Sequence, residues 1–332
     1  MRCYRLLALC SIASLVYCQE RSSLAVETYL LRPIGARTAG MSNMHVACAD
    51  DPTALFSNPA SIGYLRDSTM ITTGTTLFSF GRSLSNIALS HPLSQELTIG
   101  AGIVSMIAGT LTQRDLNGTT LGTQTIWHGF GTIAASYHLT TTTSLGIGSR
   151  ILLSSSPDAS SRGSGIAFDV GAVTSIFDLT TFGISVQQIG VMSFGSERFS
   201  LPWMLRLGLS SRIPFQIDYV PTTSTTLGST DTVEVPSLEH LLVGIEAQLR
   251  AGAKTPTFII GAEVIPYPLV AVRGGIAVYG ESLGVPQLFP ATTFSGGISL
   301  SLPLSVPIRL DYALSRGYTA SFFHTLSLVI EP

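Results

Sequence analysis

Charged side chains are scarce in this sequence. Asp, Glu, Lys and Arg make up 11% of its 332 residues, whereas an average globular protein carries about 25%. The mean hydropathy is correspondingly positive, at +0.41. So little charge indicates a protein with much of its outer surface in lipid. The alternative is a soluble β-sandwich, which would normally carry more Lys, Glu and Asp on its solvent-facing strands.

Long hydrophobic runs are also missing. A membrane-spanning helix needs roughly 20 consecutive apolar residues, and the only candidate, Leu6–Val16, is too short and lies at the extreme N-terminus. A closed β-barrel is the other structure that satisfies its backbone hydrogen bonds in lipid. The sequence therefore predicts an all-β fold, a transmembrane antiparallel β-barrel.

Cysteine is rare outside the first 18 residues. Of four cysteines, only Cys48 lies beyond that segment, and one thiol cannot form an intramolecular disulfide or a cysteine-based metal cage. We predict Cys48 to be a small buried residue. The six histidines lack the spacing of zinc ligands, so no metal or cofactor is predicted. A net charge of −2 gives no electrostatic footprint for nucleic acid.

Residues 1–18 have the pattern of a secretory signal peptide. Arg2 and Arg5 precede an apolar core, and a polar stretch follows Cys18. The pattern predicts cleavage after Cys18 and export to the bacterial outer membrane. The run Leu15–Cys18 loosely resembles a lipoprotein box, which leaves lipidation of Cys18 as the alternative, although Tyr17 is bulky for the position before a lipidated cysteine.

From Ser68 onward, apolar and small polar residues alternate with the period of a β-strand. Charges fall opposite the apolar stripe, which predicts that they line the lumen, since Lys or Arg facing lipid at mid-bilayer costs about 2–4 kcal/mol. The predicted lumen-wall residues are Arg150, Asp169, Arg206, Glu246, Glu263, Arg273, Arg309 and Asp311. Turn signals such as Asn117-Gly118 separate about 14 strands. The Thr- and Ser-rich stretch Pro221–Pro236 is predicted to be an extracellular loop.

No catalytic constellation is visible, and we predict that the protein is not an enzyme. The run Gly129–Ala134 fits GxGxxA, but no helix follows it, so paired glycines such as Gly100 and Gly102 are interpreted as lumen-side strand residues. The pair Asp50-Asp51 could hold Ca²⁺. Capping bonds to local backbone amides are the favoured interpretation, because Pro and Thr follow.

The stretch Gly35–Leu65 differs from everything after it. It is rich in small and turn residues and too short to be a domain. We predict that it is a plug, or hatch, in the barrel lumen. The predicted organisation is a signal peptide at 1–18, an N-terminal extension and plug at 19–66, and a transmembrane barrel at 67–332. Within the extension, Val26–Leu31 is expected to be extended.

The same stretch resembles the plug signature of the FadL-like outer-membrane barrels, a family that includes long-chain fatty acid transporters and PorV-type barrels. A Gly-Ala-Arg-x-Ala-Gly-Met start is followed by an acidic pair and by Asn-Pro-Ala, which carries most of the specificity. The resemblance implies a plug or gating role for Gly35, Arg37, Gly40, Asp50, Asp51, Asn58, Pro59 and Ala60. The larger apolar residues of the plug, predicted to bind ligand, are Met41, Met44, Leu55, Phe56 and Ile62.

The resemblance implies passive uptake of a hydrophobic small molecule or lipid across the outer membrane. The ligand would leave when the plug rearranges or through a lateral opening in the wall. A second interpretation has no transport: a plugged barrel in outer-membrane lipid whose extracellular loops bind a protein partner, as PorV-type barrels do. In that case, the Asn117 hairpin and Pro221–Pro236 would be the working parts.

Overall fold

The computed structural model describes residues 28–48, 50–155, 162–177, 179–223, 230–280, 291–317 and 321–332. The predicted signal peptide, its cleavage or lipidation at Cys18 and the first part of the extension lie outside these residues. The described chain begins with little regular structure. It has one short helix, α1 (Ala36–Gly40), and three 3-10 turns, at Thr28–Leu31, Pro52–Phe56 and Pro59–Tyr64. The expected extended conformation is therefore wrong for Thr28–Leu31.

Strands follow for the rest of the chain. They are β1 (Met70–Leu77), β2 (Ser83–Pro92), β3 (Leu97–Arg114), β4 (Thr120–His138), β5 (Thr143–Ser155), β6 (Gly163–Phe177), β7 (Thr180–Phe194), β8 (Glu197–Ser200), β9 (Met204–Pro214), β10 (Ile217–Thr223), β11 (Thr230–Pro236), β12 (His240–Arg250), β13 (Thr257–Tyr267), β14 (Val270–Tyr279), β15 (Ala291–Leu302), β16 (Ile308–Arg316) and β17 (Phe322–Ile330).

Fourteen of these strands close into an antiparallel barrel, which confirms the predicted fold class and strand number. Each barrel strand pairs with the barrel strands before and after it along the chain. The barrel closes where β1 pairs with β17, with Thr72 opposite Val329. The remaining strands are accessory: β8 adds to one end of β7, and β10 and β11 form a separate hairpin. None of the described helices is long and apolar enough to cross a membrane.

The two faces of the wall differ as the alternation predicts. Large apolar side chains point outward, with Ile133 68% and Ile147 65% exposed. Charged side chains point inward and are buried, with Arg150 1% and Glu246 2% exposed. An apolar belt outside and a polar interior is the arrangement of a barrel solvated by lipid.

The barrel has a turn end and a loop end. The turn end carries the chain terminus after Ile330 and short connections such as that between Phe177 and Thr180. The loop end carries the β3–β4 hairpin, with Asn117 at its tip. The long β10–β11 hairpin joins β9 to β12 at the turn end. Short turns mark the periplasmic side of bacterial barrels, so the prediction that Pro221–Pro236 is an extracellular loop is wrong: the stretch lies opposite Asn117.

Candidate functional site: the segment inside the barrel

Residues 28–65, called the inserted segment below, run through the lumen. Hydrogen bonds tie it to distant parts of the wall: Ala36 N donates to Ser327 Oγ of β17 at 2.8 Å, Ser136 Oγ of β4 donates to Ala60 O at 2.9 Å, and Ser210 Oγ of β9 donates to Ala47 O at 2.8 Å. Contacts on three sides of the barrel place the segment within it.

Glycines on the inner face of the wall leave room for this segment. A Cβ atom added at Gly171 would collide with the Asn58 side chain, and one added at Gly183 would collide with the Val46 carbonyl. Similar contacts with the segment occur at Gly100, Gly102, Gly146, Gly208, Gly244, Gly261 and Gly275. The strand glycines therefore permit close backbone approach, which agrees with the lumen-side interpretation of Gly100 and Gly102. That interpretation is wrong for Gly129 and Gly131, which pair with the outward-facing Leu153 and Ile151.

Arg37 is the centre of a buried charge cluster. Its guanidinium binds Glu263 of β13 through two hydrogen bonds, at 2.9 and 3.0 Å, and contacts Asp50 at 3.1 Å. It also donates to Cys48 O at 2.7 Å. The side chain is 1% exposed, and bidentate pairing is the geometry in which arginine binds a carboxylate most strongly. One residue thus joins two parts of the inserted segment to the wall.

The cluster extends across two more strands. Arg309 of β16 contacts Asp50 at 2.6 Å and Asp51 at 3.1 Å, and it also pairs with Asp311. Arg273 of β14 joins Glu263 to Asp311. With Arg37, the cluster holds three guanidinium groups and four carboxylates. The prediction that Asp50-Asp51 caps a turn holds for Asp51, whose Oδ1 accepts from Thr53 N at 2.8 Å; Asp50 instead pairs with arginines.

A second ion pair holds the stretch from Asn43 to Val46. Arg206 of β9 pairs with Glu246 of β12 at 2.6 Å and donates to Asn43 O at 2.7 Å. Glu246 Oε2 accepts from the backbone amides of His45 and Val46 at 2.9 and 3.0 Å. This wall pair therefore satisfies backbone groups of the inserted segment that would otherwise be buried without partners.

A third ion pair, between Arg150 of β5 and Asp169 of β6, lies at a wall irregularity. The β6–β7 register shifts beside Asp169, and Gln188 takes a left-handed conformation with φ of 62°. Arg150 donates to Phe56 O at 2.9 Å, and the Gln188 amide donates to Leu30 O at 3.0 Å. The irregularity thus directs wall side chains onto backbone carbonyls of the segment.

Asn58 bridges the segment to the wall with neutral hydrogen bonds. Its Nδ2 contacts the carbonyls of Val46 at 3.0 Å and of Ala172 and Ile184 at 3.3 Å, while Oδ1 accepts from Ala60 N at 3.1 Å. It therefore also caps the turn that begins at Pro59. A buried amide that uses both ends of its side chain fixes the local shape of the segment.

The remaining predicted gating residues have backbone roles. Gly35 has φ of 89°, a conformation that favours glycine, and it precedes α1. Gly40 packs against Gly297 of β15. The Ala60 carbonyl accepts from Ser136 and Ser144.

The five predicted ligand-binding residues are all buried between the segment and the wall. Leu55, Phe56 and Ile62 belong to an apolar cluster with residues of β2–β7, including Phe130. Met41 and Met44 pack in a smaller cluster with Leu242, Ile259 and Ala277 of β12–β14. In this conformation they serve as packing groups, and their role in ligand binding stays a prediction.

Burial keeps two titratable groups of the segment neutral. Burial, together with the nearby Arg37 and Arg206, lowers the pKa of His45 to about 3. Burial raises the pKa of the Cys48 thiol to about 12, so the thiol is protonated and unreactive. For Asp50, burial acts to raise the pKa, but Arg309 and Arg37 outweigh it and hold the pKa below its ordinary value.

Two cavities lie on opposite sides of the inserted segment. The outer pocket, at the loop end, has a volume of about 160 Å³ and is lined by Asn43, Arg250, Tyr279 and Phe323, among others. The inner cavity, at the turn end, has a volume of about 470 Å³. Ala47 and Cys48 of the segment and Arg212 and His240 of the wall are among its lining residues. Residues 44–46 separate the two spaces along the chain.

Sequence reasoning missed the wall residues of both cavities. Arg212 continues the inward row of Arg206, Gly208 and Ser210 on β9, so the period-two pattern already placed it in the lumen. His240 opens β12 on the inward face. The pattern gave no sign of a cavity at either residue, because cavities depend on where the inserted segment leaves space. Within the described residues, no group of three or more His, Cys, Asp and Glu side chains is placed to hold a metal ion.

Comparison with known proteins identifies the fold. No protein-family model and no curated protein matches the sequence. The solved structures that are similar include the following three. The toluene transporter TbuX of Ralstonia pickettii has a TM-score of 0.52 and 15% identity, over 91% of this chain and 98% of that one. A FadL homologue of Pseudomonas aeruginosa has a TM-score of 0.58 and 11% identity, over 89% and 97%. The toluene transporter TodX of Pseudomonas putida has a TM-score of 0.58 and 13% identity, over 90% and 97%.

This chain has the FadL-like fold. These likenesses confirm the resemblance that Gly35–Leu65 suggests, at the level of architecture.

Proposed function

We propose that the protein is a bacterial outer-membrane channel for passive uptake of hydrophobic small molecules, gated by the inserted segment. The observation that carries the proposal is the position of the two cavities. Asn43 lines the outer pocket and Ala47 lines the inner cavity, so a shift of residues 43–47 is enough to join them. A path of this kind runs from the loop end to the turn end inside the barrel.

The chemistry of the outer pocket supports an amphipathic ligand. Ile259 and Phe323 give it apolar walls, and Arg250 lies over the Tyr279 ring, 5.7 Å from its centroid. Arg250 Nε is buried without a hydrogen-bond partner, which is costly unless a ligand or water supplies one. An apolar chain with an acidic head group, such as a long-chain fatty acid, satisfies both features.

The structural neighbours also support uptake of hydrophobic molecules. Two of them are toluene transporters and another is a FadL homologue. The gate that we propose is the Asn43–Val46 stretch held by Arg206 and Glu246. Once those hydrogen bonds open, Met44 and Val46 are the buried apolar side chains that still hold the stretch, and a region with so few apolar anchors has low local stability.

A disulfide lock tests the gate. A Cβ atom added at Gly261 lies 3.1 Å from Met41 Cβ, close to the separation of about 3.5–4.5 Å found in disulfides. The variant M41C/G261C, in a Cys48→Ser background, joins the segment to β13 when oxidised. In liposomes with a fluorescent fatty acid, we expect uptake to stop in the oxidised protein and to return on reduction.

The matched control is A262C/G274C, which joins two wall strands that already pair. It should transport in both redox states. Uptake by the oxidised lock at the rate of the reduced one would overturn the gate. Absence of uptake by the wild-type protein beyond that of empty liposomes would overturn the transport function itself.

The second candidate function, a scaffold for a protein partner, has one supporting observation. The β3–β4 hairpin extends beyond its neighbours, since β2 pairs with β3 only to Ile107 and β5 pairs with β4 only from Trp127. Leu111 and Leu116 are exposed on this projecting ribbon. Measuring uptake before and after residues 109–126 are replaced with a two-residue Asn-Gly turn separates the two functions. A channel keeps its uptake rate after the replacement. A scaffold shows no uptake with or without the ribbon.

A further inference from the structure

The inner cavity has the features of a binding site that faces the turn end. Its ceiling is the inserted segment at Ala47 and Cys48, and its walls belong to β6, β7, β9 and β12. Leu242, Val173 and Leu179 supply apolar surface. With a volume of about 470 Å³, it falls within the range of about 300–1,000 Å³ that is common for small-molecule sites.

One ring nitrogen of a buried histidine in this cavity lacks a hydrogen-bond partner. His240 is 7% exposed, and its Nδ1 lies 2.7 Å from Leu238 O. Nδ1 must therefore carry a proton, because a carbonyl oxygen can only accept. The other nitrogen, Nε2, is buried with no hydrogen-bond partner. In the neutral ring Nε2 is an acceptor, so it is available to a ligand that offers a proton.

A cation lies beside this histidine. Arg212 faces the same cavity, and the β9–β12 register makes the two residues diagonal neighbours, since Arg212 pairs with Leu242 and Pro214 pairs with His240. Among the ion pairs of the described residues, Arg212 takes part in none. This sets it apart from the inward-facing Arg150, Arg206, Arg273 and Arg309, which all have carboxylate partners.

We propose that the inner cavity is a second binding site, in which Arg212 and His240 hold the carboxyl group of an amphipathic acid after it has passed residues 43–47. One carboxyl oxygen accepts from the guanidinium. The acid proton lies between the other oxygen and His240 Nε2, so both polar groups gain partners. A hydrocarbon satisfies neither group. An alcohol must use one neutral oxygen for both bonds, so it pairs with Arg212 more weakly than a carboxyl group, which offers a separate, charge-assisted oxygen. The inference rests on the proposed function, because it assigns a substrate class to the same path.

Photolabelling of the full-length protein in detergent tests this site. The two probes are palmitic acid and hexadecanol, each with a diazirine near the polar end, and labelled peptides are located by mass spectrometry. We expect palmitic acid to label inner-cavity peptides that contain Leu242 or Val173. Labelling there should fall about tenfold or more in R212Q, the size expected for loss of a hydrogen bond to a charged group.

Two further variants separate binding from folding. His240→Asn keeps a donor for Leu238 O but lacks Nε2, and it should reduce inner-cavity labelling by palmitic acid alone. Arg198→Gln alters an exposed arginine on β8 at the loop end and should leave all labelling unchanged. Hexadecanol should label the outer pocket and only weakly the inner cavity in every variant.

Two outcomes would overturn the site: equal inner-cavity labelling by both probes, or wild-type labelling in both R212Q and H240N. Detergent exposes both ends of the barrel to the probe, so this result stands whether or not the protein transports. If liposome uptake fails but inner-cavity labelling depends on the head group, the channel function is contradicted and the binding site is supported. If uptake is normal but inner-cavity labelling is the same for both head groups, the binding site is contradicted and the channel function is supported.

Discussion

The two halves of the barrel wall hold the inserted segment in different ways. The half formed by β12–β17 uses charge, since Glu246, Glu263, Arg273, Arg309 and Asp311 all lie there. The half formed by β2–β7 uses apolar packing around Leu55, Phe56 and Ile62 and neutral hydrogen bonds such as those of Asn58. Its ion pair, Arg150–Asp169, lies within the wall and reaches the segment only at a carbonyl.

The difference predicts which part of the segment opens first. Release of residues 52–65 exposes a large apolar cluster to water, a cost of about 25 cal/mol per Å². Release of residues 36–51 exposes only the smaller cluster around Met41 and Met44. It also separates ion pairs, but the charges regain their hydration, which offsets much of the lost attraction. We therefore expect the charged half to open while the apolar half stays anchored.

Removal of Arg37 should have the largest effect. Arg37→Gln removes the guanidinium that Glu263 and Asp50 share and leaves them only Arg273 and Arg309 as partners. Breaking one side of a buried ion pair costs about 3–5 kcal/mol. The opening of residues 36–51 should increase by a hundredfold or more. Open-channel time in planar bilayers measures it, with Arg198→Gln as the control. An unchanged open time would mean that the charge cluster does not hold the segment.

Truncation of Phe56 tests the apolar half. Phe56 packs edge-to-face on Phe130, with ring centroids 5.8 Å apart, and Phe56→Ala should cost about 3 kcal/mol of barrel stability through the cavity that it leaves. Urea unfolding followed by electrophoretic mobility measures this cost. Phe168→Ala on the lipid-facing surface is the control. If the two variants unfold at the same urea concentration, the apolar half is not an anchor.

Loss of the Asn58 side chain should have an intermediate effect. Asn58→Ala removes a cap and the bonds to three carbonyls, for about 2 kcal/mol in all. We expect faster tryptic cleavage at Arg66, the exposed residue just after the segment. Asn117→Ala, at the tip of the projecting ribbon, should cleave at Arg66 like the wild type. Wild-type cleavage in Asn58→Ala would show that its hydrogen bonds are dispensable.

Acid should weaken the attachment by the smallest amount. The bound His45 has a pKa of about 3, below its ordinary 6.5. Below pH 6.5, His45 therefore binds a proton in the released segment but stays neutral in the bound one. Attachment is weakened as the pH falls from 6.5 towards 3. At pH 5.5 the loss is about 1 kcal/mol. Asp50 changes attachment in the same direction, but only below its ordinary 3.8.

The groups that face His45 are Arg37, Arg206, Glu246 and Asp50. The measurement is open-channel time at pH 7.5 and 5.5. His45→Gln should abolish the increase at pH 5.5, whereas His91→Gln, on the exposed end of β2, should preserve it. A pH response that survives in His45→Gln would assign it to another group.

The barrel was predictable from the sequence because each strand carries its own signal. Outward apolar and inward charged residues alternate with period two, so Glu263 and Arg273 could be assigned to the lumen separately. The pairing of Glu263 with Arg37, more than 200 positions earlier, could not be predicted, since it depends on how the segment folds back. The same holds for Met41 and Leu55, whose apolar character fits ligand binding and core packing equally well.

The wrong prediction of the side of the membrane for the β10–β11 hairpin has a related cause. Pro221–Pro236 is long and rich in Thr, as extracellular loops are, but its side of the membrane follows from counting strands. One accessory strand, β8, stands between β7 and β9 and changes that count. Composition describes what a connection is made of, while topology decides where it lies.

Hydrogen exchange of the wild-type protein and of Glu246→Gln tests the central claim most directly. Peptides from residues 36–48 and 52–65 are compared by mass spectrometry at one pH. In the wild type, we predict that 36–48 exchanges faster than 52–65. Glu246→Gln weakens the bonds to His45 and Val46 and should accelerate 36–48 further while 52–65 stays slow. Joint exchange of both peptides, or earlier exchange of 52–65, would contradict the account.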